Sequence, residues 1–469
     1  MDFPVDDLAA LLIRLFEEAG RRLLLVGGTV RDLLLGETPS DADFSTDAPP
    51  DESKRILEAA GLRVYETGIR FGTVSAVACT PGGMRRAEIT TFRTEAYEPG
   101  SRKPSVSFDA GLEQDLLRRD FTINAMAMDG TGRILDPWGG RDDLAAGVLR
   151  TPGDPMVTMR EDPLRMLRAA RFAGRFGLEP EPALVEAVRS CSALLGGVAV
   201  ERRLMELDSM LSMDGPGASA AMREVASLGL LGACLPELEP MFLTDGLDQG
   251  RHHAAGVWTH TLCVLERVPP GLRLRWAALF HDSGKPAART VDSCGEPHYH
   301  GHPAAGARLA SIAAARLRFP ARRAKDVARL VELHPRPADY RPGWTPSAVR
   351  RLAAAAGDLL EDLLILSEAD SACRADGSAT CRTVLLAELR RRLEDPALSG
   401  RIRLVPPGVG AILARRTGDR TAEAIEVLED LAADGAISPS ATPDEFVSLL
   451  AERRPDLLGP GRDTKGGGS

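Results

Sequence analysis

The chain has 469 residues, 44% hydrophobic and 27% charged, with a formal net charge of -9. That is enough apolar content for real cores in about three domains, and no apolar run reaches the length of a membrane span. The cysteines (Cys79, Cys191, Cys234, Cys263, Cys294, Cys373, Cys381) include no CxxC pair, which argues against a zinc ribbon or a disulfide framework and for a reducing compartment.

The first segment, MDFPVDDLAALLIRLF, carries acids where a signal peptide needs bases, so a cytoplasmic protein is expected. Over 6–20, Leu8, Leu11, Leu12, Leu15 and Phe16 share one helical face. Short β-type runs follow at 23–26, 41–45, 73–79 and 86–92, with a helical pattern at 52–60. From residue 141 onward Leu/Ala/Arg helical patterns dominate, broken at 152–155, 215–217, 335–337, 405–408 and 438–444. The expected fold class is α+β: a small mixed α/β head with a palm-like sheet, then an all-helical neck, body and tail. The expected boundaries are a head at 1–140, a neck at 141–240, a body at 241–400, a tail at 401–462, and a disordered end or linker at 463–469. Residues 301–360 hold eleven Arg or Lys against four acids, which suits either a phosphate-binding surface or a solvated helical face.

Residues 22–47 read RLLLVGGTVRDLLLGETPSDADFSTD. Side chains i and i+2 of a strand share a face, so Asp41 and Asp43 present two carboxylates together. Two ionised carboxylates this close repel, and a divalent cation removes the conflict; hard oxygen ligands suit Mg²⁺ with substrate phosphates. Gly27 and Gly28 let the backbone approach an anion, and Arg31 can pair with it. Downstream, LLRRDFTINAMAMD places Arg118, Arg119, Asp120 and Asn124 in an apolar frame, and REDPLRMLRAARFAGRFG sets Asp162, Arg165 and Arg168 at i, i+3 spacing on one face, with Arg171 one step further.

Together VGGTVRDLLLG, DADF, RRDFTINAMA, DPWGGRDDL and EDPLRMLRAARFAGRFG resemble the bacterial tRNA nucleotidyltransferase and poly(A) polymerase family, in its order, over residues 23 to about 181. The resemblance implies attack of an RNA 3′-hydroxyl on the α-phosphate of a nucleoside triphosphate, with metal held by Asp41 and Asp43 and Glu88 as a third acid. Spacing alone would equally allow Glu88 to be an edge-strand surface charge. Glu161, Asp162 and Arg165 match the family's EDxxR motif, which implies a protein template for CTP and ATP. The chemistry agrees: Asp162 accepts and Arg165 donates, which suits the amino-plus-acceptor edges of cytosine and adenine and rejects guanine and uracil. Asp120 and Asn124 resemble positions near the nucleotide sugar, and Arg119 one that holds phosphate or ribose. The loop at 94–108 carries Gly100, Arg102 and Pro104 near the place of the family's Gly-Arg-x-Pro element, with Ser101 inserted. Full CCA addition to tRNA is therefore expected, with A-only addition or poly(A) synthesis as alternatives.

All eight histidines lie between 252 and 334. His260, the His281–Asp282 pair and Asp370 resemble the HD phosphohydrolase motif, and His302 and His334 match extra ligands found in some members. The resemblance implies phosphatase or 2′,3′-cyclic phosphodiesterase activity. Imidazoles with carboxylates suit Mn²⁺, Ni²⁺ or Co²⁺, or Mg²⁺ at a weaker site. Lys285 is a candidate phosphate ligand, and His252, His253, His298 and His300 are left open between ligand and loop surface. The stretch PGVGAILARR (407–416) resembles the family's tail and is expected to grip tRNA, or else to cap the helical body. Readings of other classes are an HD hydrolase with an RNA-binding head, or a noncatalytic tRNA-binding module; the intact DADF and EDPLR segments weigh against the latter.

Overall fold

Leu23–Val26 forms the first strand, β1, with every residue buried. Its two faces feed different cores, which explains an unbroken apolar run in place of alternation. Leu23 and Leu25 pack with Leu8, Leu12 and Phe16 of the first helix, α1 (Asp7–Glu18). Leu24 and Val26 pack with Phe92, Leu116, Ala125 and Ala127. Each fully buried leucine contributes roughly 1.5–3 kcal/mol, so this strand anchors both layers.

In the computed structural model, residues 7–39, 42–80, 83–96, 105–245, 256–374, 379–399 and 403–458 are described. Asp41, Gly100, Ser101, Arg102, Pro104, His252, His253 and the 463–469 end lie outside them. The chain divides into two compact units, Met1–Pro236 and Glu237–Ser469.

In the first unit β1 leads to α2 (Gly28–Leu34), β2 (Ala42–Thr46), α3 (Pro50–Ala59), β3 (Arg63–Gly68), β4 (Thr73–Thr80) and β5 (Gly83–Thr91). A small hairpin, β6 (Thr94–Ala96) and β7 (Ser105–Ser107), precedes α4 (Leu112–Leu117), β8 (Ala127–Met128), β9 (Ile134–Leu135) and α5 (Gly140–Ala146). The main sheet runs β3-β4-β5-β2-β1-β8-β9, with β2 and β5 parallel and the other neighbours antiparallel. The DPWGGRDDL segment folds as a tight cap. Asp136 accepts from the amides of Gly140 and Arg141, and a Cβ at Gly140 would lie 2.0 Å from the Thr122 carbonyl oxygen.

The helical part of this unit is α6 (Pro155–Glu161), α7 (Leu164–Phe176), α8 (Pro182–Cys191), α9 (Val200–Leu211), α10 (Gly215–Ser227) and α11 (Leu231–Cys234). Asp154 caps α6 through the Met156 amide. Pro163 disfavours helical geometry at the residue before it, so α6 ends at Glu161 and Asp162 is extended, with φ -135°.

The second unit holds α12 (Glu239–Leu243), α13 (Val257–Arg267), α14 (Leu272–Phe280), α15 (Lys285–Ala288), α16 (His302–Arg316), α17 (Ala321–Leu333), α18 (Pro346–Ala356), α19 (Leu360–Ala372) and α20 (Ala379–Leu393). Then come α21 (Val409–Thr417), α22 (Thr421–Ala433) and α23 (Pro443–Arg453), with a core of Val409, Leu413, Leu428, Phe446 and Leu450. The basic stretch at 301–360 is partly consumed by local pairing: Arg316 with Glu237, Arg329 with Glu332, Arg350 with Glu429 and Arg351 with Asp430. No helix among the described residues is long and apolar enough to cross a membrane.

Candidate nucleotide and metal sites

The head groove is built where β1 ends. Gly27 has φ +68°, and a Cβ there would meet the Arg119 guanidinium at 2.6 Å, so a glycine is needed for both backbone and space. Asp43 stands exposed on β2, and its amide donates to Thr29 Oγ1 at 3.1 Å. Directly across the parallel pair, Asp43 registers with Glu88 of β5, so both acids share a face. β5 lies between β4 and β2, so Glu88 is on an interior strand and not on an edge. It pairs with Arg86 at 2.8 Å. Gly28, Thr29, Asp32, Pro39, Asp43, Arg86 and Glu88 line one cavity of about 370 Å³.

Behind the groove sits a charged network that the sequence motifs only partly announce. Arg31 is buried, hydrogen-bonded to Asn124 and Asp32, and stacked over Phe172 and Phe176. Asp120 accepts from Arg168 Nε at 2.8 Å and Asn124 Nδ2 at 2.9 Å. Burial pushes its pKa up, but the Arg168 charge and these hydrogen bonds win and hold it at about 2. Arg171 and Arg168 both reach Glu206 of α9, at 2.7 and 3.5 Å. Arg119 reaches Ser45 Oγ at 3.3 Å and Asp115 at 3.6 Å. Asp115 itself is fully buried and accepts from Ser45, Arg118 and the Arg93 amide. Burial would raise its pKa, and the Arg118 and Arg119 charges hold it below the ordinary carboxylate value.

The expected Asp162–Arg165–Arg168 face is revised. Asp162 stands in the break between α6 and α7, because Pro163 keeps it out of the helix; Arg165 and Arg168 lie on α7. Asp162 is gripped by Arg202 of α9, Nη2–Oδ2 at 2.8 Å and Nη1–Oδ1 at 3.3 Å. Arg165 donates to the carbonyls of Thr158 and Arg118 and pairs with Glu161 at 3.3 Å. Arg202, Glu206 and Asp115 went unnoticed in the sequence. The spacing of Arg202 and Glu206, one helical turn apart before a Leu-rich stretch, was the available signal.

In the second unit His260, His281, Asp282, His302, His334 and Asp370 converge from α13, α14, α16, α17 and α19. Two sets, His260–His281–Asp370 and Asp282–His302–His334, each bring their ligand atoms within 4.8 Å of one another. Asp282 joins them: Oδ2 lies 3.2 Å from His281 Nε2 and 3.7 Å from His260 Nε2, while Oδ1 lies 3.6 and 3.7 Å from His302 and His334. Nδ1 of His281, His302 and His334 each contacts a backbone carbonyl, of Ala278, Tyr299 and Val331. Those bonds put the proton on Nδ1 and turn the Nε2 lone pairs inward, as metal ligands require. His281 Nε2 and Asp282 Oδ2 are buried without hydrogen-bond geometry to any partner, although Lys285 Nζ comes within 2.7 Å of Asp282. Burial holds His334 at about 3, so it is neutral and available as a ligand. The donor set therefore fits a divalent cation. His298 instead pairs with Asp292 on an exposed hairpin and stacks on His300. Larger grooves exist, one of about 780 Å³ along α16 and α17, and they contain none of the six ligand candidates.

Comparisons with known proteins find matches in both units. Residues 23–150 match the Poly A polymerase head domain, 177–242 the probable RNA and SrmB-binding site of polymerase A, and 251–375 the HD domain. An A-adding tRNA nucleotidyltransferase of Deinococcus radiodurans is 34% identical over 459 residues, covering 92% of this chain and 96% of the relative. The chain belongs to the bacterial tRNA nucleotidyltransferase and poly(A) polymerase family. Another relative, the CCA-adding enzyme of Geobacillus stearothermophilus, is 37% identical over 59% of this chain and 63% of its own. The one from Bacillus subtilis is 41% identical over 43% and 49%. The matches to such CCA-adding members thus span half to under two thirds of their length. Among solved members of the family, the Bacillus stearothermophilus CCA-adding enzyme in complex with CTP aligns with a TM-score of 0.67 and 26% identity over 96% of this chain and 97% of that one.

Proposed function

We propose that the chain adds the 3′-terminal CCA to tRNA from CTP and ATP. The observation that carries this is the register of Asp43 with Glu88 in a groove floored by Gly28 and Thr29, in the unit that also holds Asp162 and Arg165. Asp43 and Glu88, with Asp41 two residues upstream, would hold Mg²⁺. That ion would supply charge neutralisation at the triphosphate and favour ionisation of the attacking hydroxyl. Arg31, Arg119 and Arg168 place fixed positive charge behind the groove, where phosphate charge must be met. Asp120, held by Asn124 and Arg168, and Asn124, held also by Arg31, would take the sugar. Asp162 accepts the amino group of cytosine or adenine, and Arg165 donates to the ring acceptor beside it. The finer division into head, neck, body and tail, a cytoplasmic location and a tRNA grip by the tail belong to this reading.

The second unit is read as an HD phosphohydrolase acting on phosphate ends, in which His260, His281, Asp282, His302, His334 and Asp370 would hold divalent metal (Mn²⁺, Ni²⁺, Co²⁺ or Mg²⁺) that would supply charge neutralisation at the phosphate. The convergence of six ligand candidates and the inward-facing imidazoles favour it.

The test is extension of a tRNA transcript lacking its 3′ end, and of one ending in CC, with Mg²⁺ and CTP, ATP, both or neither. Two residues with CTP and three with both are expected. Extension of the CC-ended transcript alone would instead mean A-only addition, as the full-length match to an A-adding relative allows. Long adenosine tails would mean a poly(A) polymerase.

A further inference from the structure

Cys263 and Cys373 are 110 residues apart in sequence and are disulfide-bonded, with Cα atoms 5.9 Å apart. The chain's scattered cysteines gave no hint of this pairing. Cys263 lies on α13, three residues after His260; Cys373 follows α19, three residues after Asp370. One helical turn separates each cysteine from a metal-ligand candidate, so the sulfur pair and the ligand pair join the same two helices side by side. His260 Nε2 lies 3.0 Å from Asp370 Oδ1, the tightest contact between ligands from different helices. Asp370 is also held by Arg374, the residue after Cys373. Both cysteines are half-buried, within reach of solvent, whereas Cys191 and Cys234 are buried. Arg267 Nη1 sits 3.0 Å from Cys263 Sγ, a cation placed to stabilise that sulfur as a departing thiolate.

We propose that Cys263–Cys373 is a reversible thiol–disulfide exchange site that takes low-molecular-weight thiols and their disulfides, and that its state sets the spacing of His260 and Asp370. The metal half of this rests on the second-unit reading above. Oxidation runs by attack of one cysteine thiolate on the sulfur of a small disulfide, which releases one thiol and leaves a mixed disulfide. The second cysteine then attacks the protein sulfur and releases the second thiol. Two electrons and two protons pass from the protein dithiol to the small disulfide. The closed bridge spans a loop that contains His281, Asp282, His302 and His334, so it restricts five ligands together with Asp370. Opening it leaves α13 and α19 joined by packing and by the His260–Asp370 contact, and the ligand set loosens.

The experiment uses the full chain, equilibrated in glutathione buffers from reducing to oxidising and then alkylated and mapped by mass. Cys294 and Cys381, which are exposed, serve as internal controls. Cys263 and Cys373 should lose alkylation together, as a two-electron step. Cobalt titration, read by its visible absorption, should show the oxidised chain binding about fivefold or more tighter than the reduced chain, with Cys263→Ser and Cys373→Ser behaving like the reduced parent in both buffers. Both serine variants should melt where the reduced parent does. Persistent alkylation of Cys263 and Cys373 in oxidising buffer overturns the exchange site. Equal cobalt affinity in the two states overturns the coupling alone. No cobalt in either state overturns the coupling together with the metal reading, while the alkylation arm still judges the exchange.

Discussion

Arg202 and Asp162 form a two-pronged ion pair across helices α9 and the α6–α7 break, at 2.8 and 3.3 Å. Asp162 Oδ1 also accepts from the Leu164 amide at 3.2 Å. The carboxylate is thus aimed by two partners, and one of them is a long side chain that is 52% exposed. A base amino group reaching Asp162 has to share it with Arg202. Arg202 therefore fixes the carboxylate plane, and its removal should blur base choice more than catalysis. Arg202→Ala should lower kcat/KM for CTP and ATP roughly threefold to tenfold, because an exposed pair is screened. The ratio of CTP to UTP incorporation should fall by more than either rate alone. An unchanged ratio, measured by single-nucleotide extension with each triphosphate, would reduce Arg202 to a surface cation.

Asp120 lets pH report on the network. Its pKa is lowered in the fold to about 2, from an ordinary value near 3.8. A depressed carboxylate contributes stability that is fully present above the unfolded value and is lost as pH falls through the folded one. The window is therefore about pH 4 down to pH 2, and the contribution above it is about 2 kcal/mol. Asp120→Asn should be less stable than the parent by about that amount at pH 7, and the gap should close towards pH 2. Urea unfolding of both chains at several pH values measures it. A gap independent of pH would mean that Asp120 acts through packing alone.

The strands were legible where burial was two-sided or alternating. Leu23–Val26 is bounded by Arg22 and a glycine pair, and its limits appear in the sequence as they do in the fold. β3, RVYETG, was missed: it is an edge strand with exposed polar residues, and nothing in its pattern separates it from a loop. Motif residues were found because they sit within short windows. Asp115, Arg202 and Glu206 were not, because a charged residue on an amphipathic helix looks like solvated surface until its partner, dozens of residues away, is known. Cys263 and Cys373 were hidden by the same cause at longer range. The Asp162 error was one of backbone: i, i+3 spacing implies a shared face only while the helix is continuous, and Pro163 ends it.

Asp115 tests how far the motif arginines depend on what lies beneath them. It carries no exposed atoms, and Arg118, Arg119 and Ser45 converge on it. Asp115→Ala leaves two guanidiniums without their buried counter-charge, a change that costs about 3–5 kcal/mol in comparable sites. Asp115→Asn keeps the shape and one acceptor, so it should fold, with a lower Tm and a nucleotide KM raised roughly tenfold by loss of Arg119 alignment. Glutamine at Glu206 should shift the Arg168–Arg171 pair without moving Arg119. Thermal melting and CTP kinetics on the three variants separate these effects; equal KM values in Asp115→Asn and parent would remove Asp115 from the positioning role.

Asp282 and His302 separate one ion from two. Asp282 offers Oδ2 towards His260 and His281 and Oδ1 towards His302 and His334. If one carboxylate serves both sets, its loss should empty both, whereas loss of a terminal imidazole should empty one. Beyond any ion on the head acids, the parent chain should retain about two Mn²⁺ or Co²⁺ per chain after dialysis against micromolar metal. His302→Ala should retain about one, and Asp282→Asn close to none. Chelation should lower the melting temperature of the parent, because ligand binding to the folded state stabilises it by mass action, and should leave that of Asp282→Asn unmoved. Extension of tRNA by Asp282→Asn should match the parent, since the head has its own acids. The decisive outcome is the His302→Ala count: a value of two would show that the Asp282–His302–His334 set holds no ion of its own, and a value of zero would show one ion drawing on all six ligands.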